Sequence, residues 1–282
     1  MDVIVIGGGI VGVATAYQLR AAGHRVCVIE RHATVAQGAT YGHGGTVLPT
    51  PLDVWFGPTF MQHRQAAKCG VIRKTGFNGA ARDFVKRLAA LQTPEAFTQQ
   101  YARLRPLVES ARYALADIEA RFNLDFEQLN GQLYLVRTEH EWEQLKPALE
   151  LLRQFEVPHH VLTPAECVAL EHSVPADPPF AGGVLFRDER TANCPLFAKL
   201  VKQTLDAQGG VQFQCGREVT AIRLDNQRAA VELAPRVGEP VRSREVDVIG
   251  ADAVVVAAGA GSLPLLAKAG LALPLYPLRM HN

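Results

Sequence analysis

The stretch Val3-Ile4-Val5-Ile6-Gly7-Gly8-Gly9-Ile10-Val11-Gly12, with Glu30 downstream, decides how this chain folds. Its first four residues are β-branched and apolar without a break, the pattern of a parallel strand buried on both faces. Glycines follow at once. Val11 to Ala22 then reads as a helix that stops at Gly23, and Val26-Cys27-Val28-Ile29 is a second buried strand. The pieces make one β-α-β unit in which Gly7, Gly9 and Gly12 form a G-x-G-x-x-G between strand and helix. In that spacing the first glycine permits the tight turn, the second lets backbone approach a pyrophosphate, and the third lets helix pack on strand. The helix N-terminus offers unpaired N–H groups and a partial positive charge to the same anion. Ala16, Leu19, Gly23, Val26 and Val28 fall where the helix must pack on the sheet, and Glu30 closes the second strand, where a carboxylate accepts hydrogen bonds from ribose hydroxyls. A dinucleotide is expected. The acid disfavours a 2′-phosphate and hence NADP, whereas the fingerprint does not choose between NAD and FAD.

The chain has 282 residues, which at about 150 per domain gives roughly two domains. Apolar residues make up 48% and charged residues 20%, so a disordered or fibrous chain is excluded. Lys plus Arg number 29 against 28 Asp plus Glu, with both signs spread along the chain. A net charge of +1 supplies neither a nucleic-acid footprint nor a polybasic membrane patch. Cys27, Cys69, Cys167, Cys194 and Cys215 are scattered without a C-x-x-C, which fits reduced thiols in a cytosol-like compartment better than a zinc site or disulfide framework. Asp2 stands where a secretory signal would carry basic residues, and no charge-free apolar run reaches about 18 residues. A soluble or at most peripheral protein is expected.

Between residues 32 and 80, Gly, Pro and aromatics dominate without a period. Thr93 before Pro94 predicts a helix start, and Leu107, Val108, Ala111, Leu115, Ile118 and Phe122 lie at helical spacing as one expected buried stripe. Leu133 and Leu135 alternate with polar neighbours in a short strand. Thr138 with Glu141 predicts a capping box opening a helix that carries Trp142, Leu145, Leu149 and Leu152, and Thr163 with Glu166 repeats the signal. From Pro195 an amphipathic helix runs to Gly209-Gly210; Val211, Phe213 and Cys215 alternate after it. Short antiparallel strands are expected over 218–224, 229–233 and 246–249, and a buried strand over 253–258 running into Gly259-Ala260-Gly261.

A second glycine-rich loop, Gly38-Ala39-Thr40-Tyr41-Gly42-His43-Gly44-Gly45-Thr46, suits either backbone donors facing an extended cofactor or a plain solvent turn. The fingerprint ending in Glu30, this loop, the segment Phe186-Arg187-Asp188-Glu189-Arg190-Thr191-Ala192-Asn193-Cys194-Pro195-Leu196-Phe197 and Val254-Val255-Val256-Ala257-Ala258-Gly259 occur in one order. Together they resemble the FAD-dependent D-amino-acid oxidase superfamily, and most closely its bacterial D-amino-acid dehydrogenase (small subunit) branch, from residue 1 to about Leu278. The resemblance implies an α/β flavoprotein: a Rossmann-like FAD-binding domain (1–47, 81–124, 190–272) interrupted by a smaller mixed-sheet α+β substrate domain (48–80, 125–189, 273–282). It also implies oxidative deamination of D-amino acids to 2-oxo acids and ammonia, with a respiratory carrier as electron acceptor. Glycine or sarcosine oxidation is the rival within that chemistry, and a non-catalytic FAD-binding fragment the rival outside it.

Carried over by position, Gly7, Gly9, Ile10, Val11 and Gly12 hold the FAD pyrophosphate, Glu30 takes the adenosine ribose and Arg31 lies beside it. Thr40 matches a phosphate-contacting Ser/Thr, Gly44 and Gly45 run beneath the flavin ring, the Val219 backbone meets the adenine, and Ala258 and Gly259 pack against the cofactor. His43 stands where the branch usually has Asn and is a candidate polar neighbour of a non-covalently held flavin. No metal is expected; His159-His160 reads as a solvated turn. The apolar, Pro-rich segment Leu48 to Phe60 is either a peripheral contact on the inner face of the cytoplasmic membrane or a buried lid. The family pattern continues past Tyr276-Pro277 into Gly-Tyr-Ser and a long stretch, whereas Arg279 here is followed by Met280-His281-Asn282. A truncated product is therefore the expectation, and no catalytic residue is named, because the groups that hold a substrate carboxylate lie largely in that later stretch.

Overall fold

The computed structural model describes residues 1–47, 93–175, 180–224, 228–235 and 247–277, with Leu52, Gly79, Asp83, Phe84, Lys86, Arg87, Ala90 and Leu91 besides. In chain order its elements are β1 (Asp2–Ile6), α1 (Ile10–Ala21), β2 (Arg25–Glu30), α2 (Pro94–Phe122), β3 (Leu129–Val136), α3 (Glu139–Gln154), β4 (His160–Leu162), α4 (Pro164–Leu170), β5 (Gly182–Thr191), α5 (Cys194–Gln208), β6 (Val211–Cys215), β7 (Val219–Leu224), β8 (Ala229–Leu233), β9 (Asp247–Ala251), β10 (Ala253–Val256) and α6 (Ser262–Lys268). The segment Leu48 to Phe60, apart from Leu52, lies outside the described residues, so neither a lid nor a membrane contact is described there.

The apolar runs read from the sequence become one parallel sheet in the order β10-β1-β2-β6. Period-two alternation divides its side chains between two layers. Val5, Val26, Val28, Val255 and Phe213 face α1, α5 and the end of α2, where Val13, Ala16, Tyr17, Phe197, Val201 and Ile118 complete one core. Ile4, Ile6, Ile29, Val254 and Val256 face the opposite way onto the antiparallel sheet β7-β8-β9, meeting Val219, Val231, Leu233 and Leu265. Burial on both faces is why β10, β1 and β2 carry no polar alternation, whereas the edge strand β6 alternates with Gln212 and Gln214. Each fully buried Val or Ile contributes about 1.5–3 kcal/mol of transfer free energy.

A separate core lies on the antiparallel sheet β3-β5-β4, where α3 packs Leu145, Ala148, Leu149 and Leu152 against Val136, Val184 and Phe186. Helix α2 serves both cores. Phe97 near its start belongs to this second core and Ile118 near its end to the first. The continuous stripe expected from Leu107 to Phe122 is corrected accordingly: Leu107 is 68% exposed, Ala111 is exposed, Val108 is half-buried, and contact with the first core begins with Leu115 and Ile118. Midway, at Pro106 and Leu107, the helix has left one core and has not reached the other.

The caps follow their chemistry with one correction. Thr93 and Asn193 accept from the N–H groups of Ala96 and Leu196, and Asn123 ends α2 in the left-handed region, as a small polar residue can. Thr163 and Glu166 form the reciprocal box at α4. At α3, Thr138 caps the N–H of Glu141 at 3.2 Å, but the Glu141 carboxylate reaches past the cap to the Arg137 N–H at 2.8 Å and its guanidinium at 2.7 Å. A charged partner one residue upstream outcompetes the neutral N–H that a box would use. Thr163→Ala is expected to lower the unfolding free energy by about 1 kcal/mol in a denaturant titration.

Candidate dinucleotide site

The site is built where β1 turns into α1. Gly7 sits at φ +108°, and a Cβ there would stand 2.5 Å from the Ala257 carbonyl oxygen, so strand ends β1 and β10 meet with no room for a side chain. A Cβ on Gly12 would come within 1.8 Å of the Gly7 carbonyl oxygen: the first turn of α1 lies directly on the glycine turn. At Gly9, the N-cap of α1, an added Cβ meets only the Thr40 hydroxyl, at 3.1 Å. Two of the three glycines are thus closed by the protein itself, while the middle one opens onto space that a ligand can take.

The loop after β2 folds back onto this turn. Glu30, only 7% exposed, accepts from the Gly8 N–H at 2.6 Å through one carboxylate oxygen and from the His32 N–H at 2.8 Å through the other. The Gly8 carbonyl accepts from the N–H of Ala36, a non-glycine residue at φ 62°. Buried Thr40 accepts from the Ile10 N–H at 3.0 Å, supplying from thirty residues away the side-chain cap that Gly9 lacks. The Val11 and Gly12 N–H groups, in the first turn of α1, have no intrahelical acceptor. Gly7, Gly9, Ile10, Val11, Gly12, Glu30 and Thr40 therefore surround one helix N-terminus. Gly8 and Ala36 join them, and sequence reasoning passed over both. The run of three glycines hinted at Gly8; nothing local marked Ala36, whose place depends on a carbonyl 28 residues upstream.

The remaining candidates fall around this centre. Arg31 is exposed, with its guanidinium 3.4 Å from His32. Val219 is buried at the start of β7, next to a register shift, two residues beyond Arg217, whose N–H donates to the Glu30 carbonyl. Ala258 adjoins Gly7, and exposed Gly259 opens a single 3₁₀ turn. His43 is exposed and its Nδ1 accepts from the Gly45 N–H at 3.2 Å, so it shapes the loop. Gly45, at φ +87°, accepts from the Ala192 N–H at 2.8 Å; Thr46 bridges Thr191, and the Val47 N–H donates to the Arg190 carbonyl at 3.2 Å. The end of the second glycine loop, Gly45 to Val47, thereby runs along the end of β5, while residues 38–42 form a turn.

Burial pushes the thiols of Cys27, Cys167, Cys194 and Cys215 up, so none of these is a ready thiolate nucleophile. Among the described residues no three His, Cys, Asp or Glu side chains gather as metal ligands, and no helix is long and apolar enough to cross a membrane.

Residues 2–281 match the family model described as FAD dependent oxidoreductase. The chain belongs to the FAD-dependent oxidoreductase family. Across its whole length it is 30% identical to a D-amino acid dehydrogenase of Cereibacter sphaeroides, covering 64% of that protein, and 28% identical to one of Rhizobium rhizogenes, covering 67%. The chain thus spans about two thirds of the length of these curated relatives. Among solved structures, glycine oxidase from Geobacillus kaustophilus aligns with 96% of the chain and 59% of its own at a TM-score of 0.61 and 22% identity. L-proline dehydrogenase from P. horikoshii aligns with 96% of the chain and 56% of its own at a TM-score of 0.53 and 18% identity. These structural likenesses bear on the fold, and they agree with the α/β architecture and Rossmann-like sheet expected from residues 2–30.

The residues present suit the family's cofactor. The space left at Gly9 and the first-turn N–H groups match a pyrophosphate, and the adjacent buried carboxylate matches a ribose diol.

Proposed function

We propose that this chain is the cofactor-holding part of an FAD-dependent oxidoreductase that oxidises D-amino acids to 2-oxo acids and ammonia. The observation that carries the reading is the 30% identity to a D-amino acid dehydrogenase running over the entire chain, with the fingerprint glycines and Glu30 brought into one site. FAD, when bound, supplies the two-electron acceptor for the substrate amine. The chain's own residues bind and orient it. The α1 N-terminus, with Gly9, Val11 and Gly12, receives the pyrophosphate; the Thr40 hydroxyl, held on Ile10, keeps its proton available for a phosphate oxygen. Glu30 receives the ribose hydroxyls on lone pairs not used by Gly8 and His32. Val219, Ala258 and Gly259 flank the adenine and the strand end, Arg31 lies at the rim, and His43, Gly44 and Gly45 line the path toward the flavin ring. We assign the cores on the two faces of the parallel sheet to the FAD-binding domain and the core on β3-β5-β4 to the substrate domain.

Titration of the purified chain with FAD, followed by quenching of flavin fluorescence, tests the reading; failure to bind FAD overturns it. Glu30→Ala is expected to weaken FAD roughly 10- to 100-fold, the loss of charge-assisted hydrogen bonds of about 1.5–3 kcal/mol. An unchanged dissociation constant would remove Glu30 from the ribose site. The glycine oxidase likeness favours a second reading, oxidation of glycine or sarcosine with oxygen as acceptor. Anaerobic bleaching of the flavin by a panel of D-amino acids, against oxygen uptake with glycine or sarcosine, separates the two. A respiratory carrier as acceptor and a peripheral membrane position belong to the first reading and are tested by quinone-linked assay and by vesicle sedimentation.

A further inference from the structure

Within residues 186–197, Arg190 meets the second glycine loop through its backbone while its side chain turns away from it. Arg190 pairs side chain and backbone to different elements. Its guanidinium, in a side chain 23% exposed, donates to the Glu119 carboxylate of α2 at 3.1 Å and to the side-chain oxygen of Gln128, in the connection between α2 and β3. Its carbonyl accepts from the Val47 N–H, and its chain neighbours Thr191 and Ala192 engage Thr46 and Gly45. The other oxygen of Glu119 is buried without a partner, so Arg190 supplies all the hydrogen bonding that carboxylate has among the described residues. Alongside, Arg112 of α2 grips Glu189 at 3.1 and 3.3 Å. The end of β5 is thereby clamped to α2 on one side and carries the second glycine loop on the other.

We propose that Arg190 is a positioning residue for the flavin half of the cofactor site, holding β5 so that residues 45–47 present a fixed backbone surface there. The proposal rests on the FAD reading above. A guanidinium suits the task because its Nη1 amino group donates to both acceptors with its two N–H bonds fixed in the guanidinium plane, whereas an ammonium on a flexible stem does not fix its donor directions. Among the described residues the adenosine-pyrophosphate half of the site, from Gly7 to Glu30 and Thr40, shares no hydrogen bond with Arg190 and is held by its own.

The test compares FAD with ADP, which lacks the flavin, by titrating the full chain with each. Arg190→Met is expected to weaken FAD about tenfold, roughly 1.4 kcal/mol, while leaving ADP affinity unchanged, with altered fine structure in the visible flavin band. Because that variant strands the Glu119 carboxylate, Arg190→Met/Glu119→Leu carries the same test with no unpaired buried charge and is expected to show the same selective loss. Arg190→Lys, which keeps the charge and a donor nitrogen but not the fixed donor directions, is expected to fall between. Parallel loss of FAD and ADP, or no loss of either, in the double variant would overturn the positioning role. Wild-type chain that binds ADP but not FAD, or neither, would instead overturn the cofactor reading on which it stands.

Discussion

Gly12→Ala is expected to destabilise the whole first β-α-β unit, even though alanine is the better helix former. The added Cβ would stand 1.8 Å from the Gly7 carbonyl oxygen, a backbone atom in a turn fixed at both ends. Gly7 donates its N–H to the Ile29 carbonyl, and Gly8 is held by Glu30 and Ala36, so the turn cannot retreat. Helix α1 must lift off instead, and with it Val13, Ala16 and Tyr17 leave the core they share with Val5 and Val28. Overpacking of this kind costs about 3 kcal/mol or more, which for a chain of this size lowers Tm by roughly 5 °C or more. Differential scanning fluorimetry checks it; a variant melting within about 2 °C of wild type would mean that helix and turn are not packed this closely.

Gly9→Val has the opposite signature. Its Cβ meets only the Thr40 hydroxyl, so secondary structure and Tm are expected to hold nearly unchanged. It fills the space where the pyrophosphate comes against the backbone, and displaces the Thr40 cap on Ile10 as well. Loss of the first-turn hydrogen bonds to an anion is worth at least about 3 kcal/mol, so FAD affinity is expected to fall by roughly 100-fold or more. Titration together with circular dichroism checks both halves. Normal flavin content in the variant would place the pyrophosphate elsewhere. Two glycines three residues apart therefore separate fold from binding: one excludes a side chain because the protein occupies the space, the other because a ligand does.

That separation was only half legible beforehand. The spacing Gly7, Gly9, Gly12 and the carboxylate at Glu30 were enough to expect a dinucleotide turn, because strand, glycines and helix are contiguous and each role is local. The apolar runs of β1, β2 and β10 were legible for the same reason, and so were the starts at Thr93 and Thr163; on β3 the alternation of Leu133 and Leu135 marked a strand but the wrong face, since Tyr134 and Val136 join the core and Leu135 is exposed. The stripe on α2 misled because spacing reports a helix face, whereas burial depends on what lies opposite. Leu107 and Ala111 have the right period and stand out in solvent between two cores. Glu141 misled because its choice between the Thr138 N–H and Arg137 turns on a guanidinium one residue upstream.

The sequence by itself determined the α/β class, the first β-α-β unit, the nucleotide fingerprint and the family to which residues 2–281 belong, since these rest on contiguous pattern and on residue type. Tertiary structure alone decided that Thr40 caps α1, that Ala36 locks the Gly8 carbonyl, that Gly45 to Val47 lie along the end of β5, and that Arg190 ties that end to α2. Each of these contacts joins residues 28 to 147 positions apart. Nothing in local propensity records such a pairing; it exists because both faces of a central sheet had to be covered, and covering them brought those segments within hydrogen-bonding distance.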